Sequence, residues 1–311
     1  MSAAVRPRLR NLAFLALLAA GSCSSSPRDE TAGQAPGKQA LVPASPQTQP
    51  PAPQGSRGAD FALSGEMTQG GWLRGLAPRG TASLKFNGAD VPLAGDGSFL
   101  IAFDRDAGTS ADLVALGQDG TRVRRSLTIS PRAWRIERLS IGPRKGAPPS
   151  ETFRIRRAAE LARINGARAL EIDSQGWRQR FVWPVKGRLS GLFGSQRIYR
   201  GTPGGYHSGT DIATGESGTP FVAPADGVVI LAAQSPFTLE GNLLMIAHGM
   251  GLNSAFLHCS QLLVREGDRV RQGQVIGRIG MTGRATGPHL HWSMKWRNSR
   301  LDPLLFAGPM R

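Results

Sequence analysis

The chain has 311 residues, enough for about two domains of ordinary size, and a formal charge of +16 from 38 Lys and Arg against 22 Asp and Glu. This charge favours a polyanionic partner, whether nucleic acid, an anionic membrane surface or a carboxylate-rich polymer, and does not choose among them. No helix-turn-helix, zinc-finger or RNP aromatic motif occurs, so we expect no nucleic-acid partner. With two cysteines, Cys23 and Cys259, a disulfide framework is excluded.

Residues 1–23 have the layout of an export signal. Basic residues come first, then an apolar stretch too short to span a bilayer, and then small residues. The segment from Ala20 to Cys23 resembles a bacterial lipobox, although Ala20 stands where that pattern prefers Leu. We therefore predict an exported lipoprotein, held to a membrane through lipid on Cys23. Ser24 favours the outer membrane, and ordinary cleavage near Ala20 is the alternative.

Residues 24–59 are rich in Pro, Ser, Gln, Ala and Gly and contain no aromatic residue and no apolar periodicity. This composition predicts a disordered tether. A flexible segment of this length has an r.m.s. span of about 30 Å, so it can hold a folded domain away from its anchor.

Residues 60–132 predict a small antiparallel β-sandwich. Short apolar runs alternate there with the turn dipeptides Asn87-Gly88, Asp96-Gly97 and Asp119-Gly120. The runs are 82–86, 91–93, 98–103, 111–116 and 122–129. The pattern resembles immunoglobulin-like domains in architecture only, and it contains no catalytic constellation.

Residues 133–180 read as a connector that contains one helix at about 150–165. Ser150 is the predicted N-cap, and Glu151 suits the positive end of the helix dipole. The spacing of the following apolar residues predicts one buried stripe. Its members are Phe153, Ile155, Ala158, Leu161 and Ile164.

Residues 181–311 predict an all-β domain whose apolar or alternating runs are broken by glycine at almost every turn. The runs are 227–233, 242–248, 252–259, 268–279 and 288–296. No helix here is long enough to present a HExxH zinc motif, so any metal ligands must come from strands and loops.

All five histidines lie in this last third, at positions 207, 248, 258, 289 and 291. His289 and His291 flank Leu290 within an apolar run, so on a strand their imidazoles share one face. His207 and Asp211 are four residues apart in a glycine-containing segment and share a face if it is extended. Three groups from this set suit a catalytic zinc with a fourth position for water.

Three sequence motifs carry a resemblance to a known family. GYHSGTDIA at 205–213, FLHCS at 256–260 and TGPHLHW at 286–292 resemble, in order and spacing, the HxxxD, H and HxH motifs of the M23 zinc metallopeptidases, the LytM or lysostaphin type. The intervening segments also match, so the resemblance covers roughly residues 183–306. The segment from Phe193 to Arg197 fits the family's basic motif only loosely, and we expect the loop up to Tyr206 to wall the substrate groove.

The resemblance implies one zinc ion per chain, bound by His207, Asp211 and His291. His258 and His289 match the two non-ligand catalytic histidines of the family, and their order of action stays open.

The implied function is an endopeptidase that hydrolyses peptide cross-links in peptidoglycan, with D-alanine to diamino-acid bonds expected in a diderm envelope or periplasm. Its partners would be peptidoglycan stem peptides, with a regulatory envelope protein as a further expectation. The alternative is a non-enzymatic LytM-type activator of a cell-wall amidase.

Two residues near these motifs are predicted to be structural. His248 matches a family histidine that does not bind metal. Cys259 follows His258, and a thiol beside an imidazole is typical of a Cys and His protease. Neighbours on a strand point to opposite faces, however, so we expect Cys259 to be a small buried apolar residue.

Overall fold

A computed structural model of the chain describes residues 58–142 and 150–310. The described residues form mainly β-strands with few helices, which confirms the predicted fold class. The expected signal, lipobox and Cys23, and the expected tether up to position 57, lie outside the described residues. Among the residues described, no helix is both long and apolar enough to cross a membrane.

The strands of the N-terminal part form two small antiparallel sheets, in the orders β1-β2-β5 and β4-β3-β6-β7. Their inward side chains, including Phe99, Leu84 and Leu113, belong to one buried cluster. Residues 62–65, 72–76 and 136–139 form strands that the sequence did not predict. The strands are β1 Ala62–Gly65, β2 Trp72–Leu76, β3 Thr81–Phe86, β4 Ala89–Val91, β5 Ser98–Ala102, β6 Ser110–Gly117, β7 Arg122–Thr128 and β8 Ile136–Leu139.

The connector helix α1 spans Glu151–Arg168, and the Ser150 hydroxyl accepts the hydrogen bond of the Phe153 N–H, which confirms the predicted N-cap. The predicted apolar stripe is wrong in part, because Ile155 and Leu161 are exposed. The residues of α1 that are buried are Glu160, Ile164 and Ala167. Ion pairs of Arg157 with Glu160 and with Glu240 lie on this face of α1 and replace part of the apolar stripe that the spacing predicted.

The C-terminal part is built around an eight-stranded sheet of order β18-β14-β15-β16-β20-β12-β9, in which β21 also pairs with β20. The strands of a separate three-stranded sheet, β13-β19-β17, alternate along the chain with strands of the large sheet. The elements are a 3-10 turn Gly176–Arg178, β9 Arg188–Gly191, β10 Gln196–Tyr199, β11 Thr202–Pro203, β12 Thr210–Ala213, β13 Pro220–Val222, β14 Gly227–Phe237, β15 Gly241–Gly249, β16 Leu252–Cys259, β17 Gln261–Leu262, β18 Arg269–Val270, β19 Val275–Arg278, β20 Leu290–Trp296, β21 Ser299–Leu301 and helix α2 Pro303–Ala307.

Strand β8 ties the N-terminal strands to the loop that precedes the HxxxD motif. It pairs in parallel with β10, which itself pairs with β11. Arg105, which is 7% exposed, donates from Nη2 to the Gly194 carbonyl and the Gln196 side chain, and its guanidinium lies over the rings of Trp134 and Tyr206. The described residues, 58–142 and 150–310, accordingly belong to one compact unit, and the proposed boundaries near 132 and 180 stay predictions.

A buried hydrogen-bond chain supports β20 from behind. The fully buried His248 donates from Nδ1 to the Asp226 carbonyl at 2.8 Å, and its Nε2 accepts from the Ser254 hydroxyl at 2.9 Å. The same hydroxyl accepts from Trp292 Nε1 at 3.3 Å. Burial lowers the pKa of His248 to about 4, although its hydrogen bond to Asp226 acts in the opposite direction. Its place in the core agrees with the structural role predicted from sequence.

We expect the chain to lose stability as the pH falls from about 6.5 to about 4, because the unfolded His248 binds a proton there that the folded one does not. The loss is on the order of 3 kcal/mol, and this contribution is present in full above about pH 6.5. Chemical denaturation at intervals between pH 4 and 7 measures it. His248→Gln should have a flatter profile in this window, and parallel profiles for the two proteins would show that His248 does not cause the loss.

Candidate metal centre

The pairing of β12 with β20 brings the two ends of the predicted metal site together. In this antiparallel ladder Asp211 lies directly opposite His291, so their side chains share one face of the sheet. His207 lies in the loop before β12, where its backbone N–H and C=O bond to Ser195 and Gly194. The sheet therefore closes a separation of 80 residues between Asp211 and His291.

Three potential ligand atoms form a nearly equilateral triangle. His207 Nε2 lies 3.1 Å from Asp211 Oδ1 and 3.1 Å from His291 Nδ1, and His291 Nδ1 lies 2.8 Å from Asp211 Oδ1. A tetrahedral zinc with bonds of about 2.0–2.1 Å separates its ligand atoms by about 3.3 Å, close to these edges. Two imidazoles and one carboxylate are also the ligand types that catalytic zinc uses. The residues present therefore fit a zinc ion.

The orientation of these side chains is fixed by close packing. His207 Nδ1 donates to the Leu192 carbonyl at 3.1 Å, so in the neutral ring the Nε2 lone pair faces the triangle. A Cβ on Gly191 would lie 2.4 Å from Asp211 Oδ2, and one on Gly209 would lie 2.7 Å from His291 Nε2. Glycine is thus required at both positions by the side chains that pack against them.

The electrostatics of the triangle favour an ionised carboxylate. Burial alone would raise the pKa of Asp211, but hydrogen bonds from His207 and His291 hold it well below its ordinary value. Burial lowers the pKa of His291. Burial acts in the same direction on His207, yet the bond to Asp211 leaves its pKa raised. Asp211 is the only carboxylate of this three-residue cluster.

His258 reaches the same face through a β-bulge. The register between β15 and β16 shifts between Asn242 and Leu244, so that two residues of β16 oppose one of β15. His258 has φ +65, a conformation that a non-glycine residue rarely adopts. The shift turns its imidazole toward the metal centre, where the ring centroids of His258 and His289 are 4.9 Å apart.

His258 and His289 are anchored in the same way. His258 Nδ1 donates to the Thr282 carbonyl at 2.8 Å, and His289 Nδ1 donates to the Gly287 carbonyl at 2.8 Å. Because a carbonyl can only accept, both rings carry a proton on Nδ1, which leaves Nε2 for the site. His289 Nε2 lies 3.7 Å from Asp211 Oδ1. Burial lowers the pKa of His258, which favours its neutral form.

Sequence reasoning missed the residues that hold His258. Its N–H donates to the Glu240 carbonyl at 2.8 Å. The Thr282 hydroxyl accepts from the Asn242 N–H and donates to the Cys259 carbonyl, and so fixes the bulge. No sequence motif marks these positions; the nearby Gly241 and Gly283 both adopt a positive φ.

Cys259 is completely buried, and its thiol donates to the Phe256 carbonyl at 3.6 Å. Burial raises the pKa of the thiol, so the thiolate that a Cys and His protease needs is disfavoured. The prediction of a small buried apolar residue is confirmed.

The fold and the site define a class of protein: an all-β domain in which two histidines and one aspartate form a cluster that could hold a metal ion. Part of the chain also matches the model of a known family. Residues 205–303 match the model of peptidase family M23, and the chain therefore contains an M23 domain.

Three similar proteins extend this finding. The chain is 38% identical over 136 residues to peptidoglycan DD-endopeptidase ShyA of Vibrio cholerae, which covers 42% of this chain and 30% of ShyA. It is 40% identical over 103 residues to DD-carboxypeptidase/endopeptidase Mpg of Neisseria meningitidis, which covers 33% of this chain and 23% of Mpg. A crystal structure from Pseudomonas aeruginosa assigned to peptidase M23 aligns with a TM-score of 0.59 and 25% identity, over 78% of this chain and 96% of that one. The matches thus span less than a third of the two curated relatives.

Proposed function

We propose that this chain is a zinc-dependent endopeptidase that hydrolyses peptide cross-links in peptidoglycan, between D-alanine and a diamino acid. The observation that carries the proposal is the triangle of His207, Asp211 and His291 with two anchored histidines on the same face. The match to peptidase family M23 and the names of the relatives, peptidoglycan DD-endopeptidases, support the substrate class. The positive charge of the chain suits a carboxylate-bearing polymer.

In this proposal His207 Nε2, Asp211 Oδ1 and His291 Nδ1 bind one zinc ion. When bound, zinc supplies Lewis acidity toward the scissile carbonyl and toward the attacking water. The hydrogen bond from His207 to the Leu192 carbonyl orients one ligand, and pairing within the sheet orients the other two.

His258 and His289 handle the protons. With Nδ1 committed to a carbonyl, each ring offers Nε2 as a base when neutral and as a donor when protonated. The lowered pKa of His258 supports this residue as the acceptor of the proton from the attacking water. The other histidine, His289, when protonated, then stabilises the oxyanion or delivers a proton to the leaving amine.

The same proposal includes a location and a tether. A peptidoglycan substrate requires export, and the N-terminal sequence supports a periplasmic lipoprotein held by lipid on Cys23. The proposal also includes an envelope protein that regulates this enzyme. All five site positions are filled by metal-binding or acid-base residues, which favours an enzyme over a non-enzymatic amidase activator.

Incubation of zinc-loaded full-length protein with purified sacculi, followed by muropeptide analysis, tests the activity. We expect cross-linked dimers to fall and monomers to rise, and a chelator to stop the change. His289→Ala is the matched control and should lower the rate by about 100-fold or more. Unchanged dimers with the zinc-loaded protein, together with stimulation of an added amidase, would replace the endopeptidase by the activator.

A second prediction separates ligands from proton carriers. His207→Ala or Asp211→Ala removes one of three ligands and should abolish zinc retention after dialysis. His258→Ala or His289→Ala should keep most of the zinc while removing turnover. Zinc content by mass spectrometry and cleavage of a cross-linked muropeptide give the two readouts. Equal zinc loss in all four variants would contradict this division of roles.

The connector helix also acts on the position of His258. Arg157 of α1 forms two hydrogen bonds with Glu240, at 2.6 and 2.7 Å, and both side chains are largely buried. Glu160 of α1 accepts from the Thr238 N–H and hydroxyl at 2.7 Å each. These contacts fasten the turn between β14 and β15, whose Glu240 carbonyl accepts the N–H of His258. Arg157 is therefore a positioning residue for His258.

Arg157→Met should lower kcat by about ten- to a hundredfold, since a misplacement of about 1 Å at a catalytic group can cost this much. We expect KM and zinc content to change little, and Arg157→Lys to recover part of kcat because it keeps the charge. Arg154→Met is the matched control, because Arg154 pairs with Glu151 on the exposed side of α1. A rise in KM at constant kcat would contradict a positioning role.

A further inference from the structure

The face of the sheet that holds the metal centre continues along strand β20 beyond His291. Its side chains alternate, with Trp292, Met294 and Trp296 buried, while Ser293 and Lys295 are partly exposed. Ser293 and Lys295 share the face of His291. Lys295 comes four residues after His291, which places it about 13 Å further along the strand. This face therefore extends the site by the length of a short peptide.

Lys295 lies in a row of polar side chains that crosses the sheet. It is directly opposite Asn253 on β16 and Arg300 on β21, so the three side chains share one face at Cα spacings of about 4.5–5.5 Å. Arg300 Nη1 donates to the Tyr206 hydroxyl at 3.3 Å. Tyr206 precedes His207, so the row reaches the loop of the metal centre.

Arg168, the last residue of α1, extends this row on the opposite side. It lines a small recess together with Asn253. The Arg168 Nε atom is buried without a hydrogen-bond partner, and so is the Oδ1 atom of Asn253, a residue only 5% exposed. An unpaired donor and an unpaired acceptor thus lie at the same end of the row. Buried polar atoms normally have partners, so the hydrogen bonding at this end of the row is incomplete within the described residues.

The positive charge of the row is only partly balanced by carboxylates of the described residues. In the part of the chain that the structure describes, neither Lys295 nor Arg168 makes an ion pair or a side-chain hydrogen bond. Burial lowers the pKa of Lys295, and the charges of Arg168 and Arg300 lower it further. Asp104 accepts from the backbone N–H of Arg300 rather than from its guanidinium, and Glu240 binds Arg157.

We propose that the row formed by Arg168, Asn253, Lys295 and Arg300 is a subsite for a carboxylate of the substrate peptide, about 13 Å from the metal centre. The proposal deepens the endopeptidase function and rests on it. The cations bind the carboxylate by charge-assisted hydrogen bonds. An extended peptide places this carboxylate about four residues from the scissile bond.

Calorimetric titration of the full-length, zinc-loaded protein with an uncross-linked muropeptide monomer tests the subsite without cleavage. Loss of a hydrogen bond to a charged group should weaken binding by about tenfold or more in Lys295→Met. Arg168→Gln should change binding in the same direction. Lys85→Met is the matched control, because it removes an equal charge from a surface pair with Asp90. A monomer whose carboxylates are amidated should bind the wild type about tenfold more weakly and should not respond to Lys295→Met.

Equal affinity of the wild type and Lys295→Met for the free monomer would overturn the subsite, as would indifference to amidation or no binding at all. Cleavage of a cross-linked dimer is measured in parallel. Lys295→Met should raise KM about tenfold and leave kcat nearly unchanged, since the subsite is remote from the reacting bond. Binding that depends on Lys295 without cleavage would reject the endopeptidase function and keep the subsite. Cleavage without this dependence would do the reverse.

Discussion

The antiparallel pairing of β12 with β20 is the interaction on which the site depends. It sets Asp211 opposite His291 and delivers two of the three potential zinc ligands to one face of a sheet. A shift of one residue in this register would turn His291 to the opposite face and replace it by a core residue such as Trp292. The buried chain of His248, Ser254 and Trp292 stabilises the register from behind, so the core and the site depend on the same strand.

The geometry of β20 was predictable because it follows strand alternation. His289 and His291 flank Leu290. In the structure both imidazoles lie near Asp211, while the side chain of Leu290 is buried in the core, as the two-residue period of a strand requires. The motif spacing likewise indicated His207 and Asp211 as partners, and the short distances between their ligand atoms agree with this.

The position of His258 was not predictable in this way. On a regular strand it would point away from Leu257, which faces the same side as His291 across β16 and β20. A β-bulge and a positive φ reverse this, and both depend on long-range contacts with Glu240 and Thr282 that no local pattern records. The buried face of α1 was misjudged for a related reason, since the Arg157–Glu240 ion pair and the hydrogen bonds from Thr238 to Glu160 hold the helix against the β14–β15 turn.

A direct measurement can decide whether two imidazole nitrogens and one carboxylate oxygen of this chain bind a single zinc ion. X-ray absorption spectroscopy of the zinc-loaded protein should show a first shell of nitrogen and oxygen only, at about 2.0–2.1 Å, with scattering from two imidazoles. In Asp211→Asn that shell should lose occupancy. A sulfur ligand at about 2.3 Å, or a shell with three or more imidazoles, would contradict the assignment of His207, Asp211 and His291.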